Sequence, residues 1–79
     1  MSKEWMDTVA AAEAAAEKRQ AAEETAQERF RAARARCEAA GRGEQVTETP
    51  EFQEWIAARH ASDEAWGAWA MAMDAKPAS

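Results

Sequence analysis

The chain has 79 residues, 15 acidic and 10 basic side chains, one cysteine and one histidine, and a formal charge of −5. A single cysteine excludes an internal disulfide, and one cysteine with one histidine excludes the usual spacings of a zinc site. The acidic balance disfavours nonspecific attraction to nucleic acid, and no run approaches the roughly 20 apolar residues that cross a bilayer.

Residues 10 to 40, AAAEAAAEKRQAAEETAQERFRAARARCEAA, favour helix by intrinsic propensity but offer mostly small apolar groups for packing. Ser2 suits the N-cap, and Glu4 and Asp7 place negative charge where the helix N-terminus is partially positive. Arg29, Arg31, Arg34, Arg36 and Arg42 against Glu38 make residues 29 to 42 a basic island of net +4 between two acidic segments. Cations in the last turns suit the opposite end of the dipole, and Gly41 can take the left-handed conformation that ends a helix. The first helix is therefore predicted over about residues 3–40. The stretch GRGEQVTET, residues 41–49, is polar and aperiodic and reads as a connecting loop without a third element. Thr49 is the predicted N-cap of the second helix, Pro50 suits its first position and Glu51 its first turn. This helix is predicted over about residues 50–75, before Pro77, with residues 76–79 as a disordered tail. Residues 1–79 form a single domain, all-α, an antiparallel two-helix hairpin.

Three of the four tryptophans fall in the second segment, where Phe52, Trp55, Ile56, Trp66, Trp69 and Met73 recur at spacings of three and four. The first helix offers holes and the second offers knobs. At about 1.5 Å per residue the helices measure roughly 57 and 39 Å, so about a third of the first is expected to lie uncovered. Trp5, Met6 and Val9 lie in that overhang, and Trp5, Val9, Ala12 and Ala16 share one face. A core this small supplies only about 3 to 5 kcal/mol, so the five residues are expected to form a dimer interface, giving a homodimeric four-helix bundle. The inward seams are predicted as Trp5, Val9, Ala12, Ala16, Arg19, Glu23, Ala26, Phe30, Ala33, Cys37 and Ala40 on the first helix. On the second they are Phe52, Trp55, Arg59, Ser62, Trp66, Trp69 and Met73. Arg19 with Glu23, and Arg59 with Ser62 or Asp63, are expected to pair along the seam.

Chemistry is sparse. His60, Asp63 and Glu64 share an outward face, which in principle suits a metal or acid–base work, but one histidine with two surface carboxylates reads as a solvated face. Cys37 lacks an activating base and reads as a small core residue. With no phosphate loop, hydrolase elbow or metal-ligand motif, no enzyme, catalytic residue, cofactor or metal is expected.

Three surfaces are candidates for binding. Glu13, Glu17, Glu24 and Glu28 form an acidic stripe of about 22 Å along the first helix, as a phosphate mimic would, although Lys18 and Arg31 dilute it. RFRAARAR, residues 29 to 36, has the arginine density of helical RNA-binding peptides, but Glu44, Glu48, Glu51 and Glu54 are expected to neutralise it, so direct nucleic-acid binding is not expected. WGAWAMAM, residues 66 to 73, is apolar on more than one side, with Trp66, Trp69 and Met73 toward the seam and Met71 away from it. Tryptophan and methionine suit adaptable protein contacts. The resulting expectation is a non-enzymatic module that binds itself and another protein, and no membrane. The opening MSKEWMDTV has no secretory pattern, which places the expected location in the cytoplasm. Size, acidity and the lack of catalytic motifs suit small phage or mobile-element inhibitors that occlude or bridge a host or defence protein. The alternatives are an acidic nucleic-acid mimic that blocks a DNA-binding channel, and a structural, self-assembling helical oligomer.

Overall fold

A computed structural model describes residues 3–77. Helix α1 runs Lys3–Ala39, a 3₁₀ helix spans Gly43–Glu48, and helix α2 runs Pro50–Asp74. The two long helices pack as an antiparallel hairpin measuring 61 × 15 × 12 Å, and no strand occurs among the described residues. The predicted N-cap Ser2 and residues 78 and 79 of the predicted tail lie outside the described residues.

Local chemistry sets the helix ends. Gly41 has φ 72°, its N–H donates to the Glu38 carbonyl at 3.1 Å, and the Arg42 N–H donates to the Cys37 carbonyl at 2.7 Å. That pair of bonds is the Schellman arrangement, which satisfies carbonyls that the helix itself leaves free. At α2, the Thr49 hydroxyl accepts from the Phe52 N–H at 3.2 Å and donates to the Val46 carbonyl at 2.7 Å, with Pro50 at the first helical position.

The connection differs from the expected irregular loop. Its residues coil into a 3₁₀ helix, with Gln45 N–H on the Arg42 carbonyl at 2.9 Å and Thr49 N–H on the Val46 carbonyl at 3.2 Å. Adjacent helices leave only about 10 Å to cross, so nine residues carry slack, and coiling lets their backbone groups bond one another. Val46, the one large apolar residue of the connection, is half-buried.

Between the helices the contact is built on small residues. Ala16, Ala26, Ala33 and Ser62 are buried, and among the described residues no large side chain is fully buried. Aromatic rings lie along this line in two groups. Phe30 stacks on Trp55 with centroids 4.8 Å apart and lies 5.6 Å from Phe52, and Trp66 meets Trp69 edge-on at 5.5 Å. The predicted α1 seam is the observed one except that Arg19 and Ala40 are exposed. On α2 the inward line is turned toward smaller residues: Trp55, Ala58, Ser62, Ala65, Trp69 and Ala72 are buried or half-buried, while Arg59 is exposed and Met73 is 42 % exposed. Small side chains on an inward line let packed helices approach closely, and the bulkier Phe52 and Trp66 stay half-buried.

Trp5 also departs from expectation. Its indole N–H donates to the Ala72 carbonyl at 2.7 Å, and Lys76 Nζ lies 5.8 Å from its ring centroid. Carbonyls in the last turn of a helix lack intrahelical partners, and the indole supplies one. The N-terminal part of α1 is thus capped by the end of its own chain. Val9 and Ala12 are half-buried and Ala16 is fully buried within the hairpin, so of the five predicted dimer-interface residues only Met6, 61 % exposed, stands open.

Candidate interaction surfaces

The acidic stripe stands as a solvated row. Glu13, Glu17, Glu24 and Glu28 are all exposed on α1 and make no ion pair among the described residues, with Lys18 and Arg31 exposed beside them. Their spacing alone places them together, because α1 is unbroken over this stretch.

The arginine island is partly neutralised from within. Arg36 pairs with Glu51 at 3.3 Å, Arg29 with Glu54 at 4.0 Å, and Arg34 with Glu38 along α1 at 2.9 Å. Glu44 and Glu48, also expected to neutralise it, make no ion pair among the described residues, because the 3₁₀ coil holds them away on its exposed side. The expected pairing of Arg19 with Glu23, and of Arg59 with Ser62 or Asp63, is likewise missing among the described residues. Arg19 is exposed to water, and the Arg59 guanidinium lies 6.0 Å from the Trp55 ring centroid, a cation–π distance. Where the island meets the connection, Ala33, Arg36, Cys37, Ala40, Arg42 and Thr49 line an open depression of about 230 Å³. Cys37 is free and half-buried there. His60, Asp63 and Glu64 are exposed, and no three metal-ligating side chains converge among the described residues.

The third surface lies at the open end of the hairpin. Among the described residues, Met6, Met71 and Met73 are the exposed large apolar side chains, at 61 %, 74 % and 42 %. They come from the first turns of α1 and the last turns of α2, which the Trp5–Ala72 bond draws together. Trp66 and Trp69 are half-buried next to them on α2, so the expected partner-binding residues divide into exposed methionines and rings already engaged with α1. The Trp66 N–H donates to Gln20 Oε1 at 3.1 Å, whereas the N–H groups of Trp55 and Trp69 are shut from solvent and find no partner among the described residues. An unsatisfied donor costs on the order of 1–3 kcal/mol, which leaves a lone hairpin little margin.

A further feature of α2 escapes a reading by hydrophobicity alone. Phe52, Ile56, Arg59, Asp63, Trp66 and Ala70 follow one another at alternating spacings of four and three, forming a ridge beside the inward line. The signal for it is the 4–3 alternation itself, obscured by the charged pair at its centre. Among the described residues, no helix is long and apolar enough to cross a membrane. Comparison with known protein families, with curated proteins and with solved structures found no match.

Proposed function

We propose that this chain is a non-enzymatic protein-binding module, a homodimeric four-helix bundle that occludes or bridges another protein through the methionine-rich open end. The observation that carries this reading is the exposure of Met6, Met71 and Met73, large apolar side chains of the first turns of α1 and the last turns of α2. Methionine is flexible and polarizable, so such exposed side chains adapt to a partner's apolar surface and gain by leaving water. Self-association is supported by the core: with only three alanines and a serine buried among the described residues, each hairpin retains apolar area that a second copy can cover. The reading as an inhibitor of a host or defence protein rests on size, acidity and this one surface.

The test is capture of a partner from nuclease-treated lysate of the native host, followed by reconstitution from purified components. Met71→Asp is expected to weaken the reconstituted complex at least about tenfold, in line with loss of an apolar anchor, while leaving the helical circular-dichroism signal unchanged. Recovery of the bait alone, or equal binding by Met71→Asp and the native chain, would refute docking at the open end.

A further inference from the structure

The hairpin carries more surface than its mass accounts for. Its accessible area is 5973 Å², against about 4,700 Å² for a compact folded monomer of 8.7 kDa. Its radius of gyration is 17.7 Å, where about 12 Å suits a compact domain of 79 residues. The surplus of roughly 1,200 Å² per chain exceeds the roughly 800 Å² that each partner buries in a standard stable interface.

The ridge on α2 supplies the face for that interface. Phe52, Ile56 and Trp66 are only half-buried against α1, and Arg59 and Asp63 between them are exposed and in no ion pair among the described residues. The 4–3 alternation is the repeat with which one helix packs along another at a shallow angle, and from 52 to 70 it extends about 27 Å. Trp66 already has its N–H satisfied by Gln20, so its ring can be covered without stranding a donor.

Resting on the proposal that the chain self-associates, we infer that two copies pair through this ridge, α2 antiparallel to α2 about a two-fold axis, with Arg59 of each copy opposite Asp63 of the other. In that register Ile56 faces Trp66 of the second copy and Phe52 faces Ala70, so each large side chain meets a complementary one and each charge meets its opposite. The neighbouring register, one ridge step along, sets Asp63 against Asp63 at the axis. Parallel pairing sets Arg59 against Arg59 and Asp63 against Asp63. Like charges placed together in an interface oppose association, so charge selects the register. Met71, one residue past Ala70, lies off the ridge, and antiparallel pairing places its two copies at opposite ends of the dimer, whereas Met73 continues the ridge at the margin of the contact.

The experiment is a charge swap in trans, read by sedimentation equilibrium. The native chain is expected to sediment as a dimer. Arg59→Asp alone and Asp63→Arg alone are each expected to dissociate, with affinity lowered about 100-fold, because each homodimer then sets like charges together. An equimolar mixture of the two is expected to regain the dimer mass, because the carboxylate introduced at position 59 of one copy meets the guanidinium introduced at position 63 of the other. An effect confined to one chain cannot produce that rescue. Both substitutions lie on exposed positions, and circular dichroism verifies that each variant remains helical. A native dimer with both variants still dimeric, or two helical monomers that fail to associate when mixed, would overturn this interface while leaving self-association standing. A native chain that is monomeric would overturn both.

Discussion

Replacing Phe30 with alanine tests whether the aromatic group near the connected end holds the hairpin together. Phe30 is half-buried, stacked on Trp55 at 4.8 Å with an interplanar angle of 15° and 5.6 Å from Phe52. Truncating a fully buried phenylalanine costs about 3–5 kcal/mol, so half burial suggests about 2 kcal/mol. The two ring contacts add about 0.5 kcal/mol or more each beyond area, for a total of about 3 kcal/mol. That approaches the whole stability of about 3 to 5 kcal/mol that one core of this size supplies. At about 4–8 °C per kcal/mol, the midpoint should fall by about 12–24 °C. The assay is thermal unfolding followed by circular dichroism at a fixed protein concentration, since the midpoint of a self-associating chain depends on concentration. Phe30→Leu, which keeps most of the apolar area and loses the stacking, should fall about a third as far. A Phe30→Ala midpoint within about 4 °C of the native value would refute the reasoning, for it would mean that less than about 1 kcal/mol resides in the group.

Trp5→Phe removes the N–H that donates to the Ala72 carbonyl at 2.7 Å and keeps a ring; it should cost about 0.5–1.5 kcal/mol and speed hydrogen exchange in the last turn of α2. Unchanged exchange there would mean that Trp5 does not tie the open end. Thr49→Ala loses both the bond from the Phe52 N–H and the bond to the Val46 carbonyl, and should lower stability by about 1–2 kcal/mol, whereas Thr49→Ser should keep most of it. Equal melting of the alanine and serine variants would remove the cap from the account.

Several elements of the fold were legible residue by residue. Ala-rich composition makes α1 helical, Gly41 ends it, and Thr49 with Pro50 starts α2, because propensity, a left-handed φ and an N-cap are each decided by one residue and its nearest neighbours. The acidic stripe was legible for the same reason, since helical spacing alone sets its members on one side. The 3₁₀ coil was not, because it answers to the distance between the packed helices. Tertiary packing also decided which face of α2 turns inward. Large residues dominate any reading by hydrophobicity, yet close approach of two helices rewards the small Ala58, Ser62, Ala65 and Ala72 on the inward line, and Arg59 and Met73 are left outward. Trp5 was equally hidden from the sequence: helix lengths alone leave it uncovered, but an indole spans the gap to a free carbonyl 67 residues away, and only the folded chain brings that carbonyl within reach.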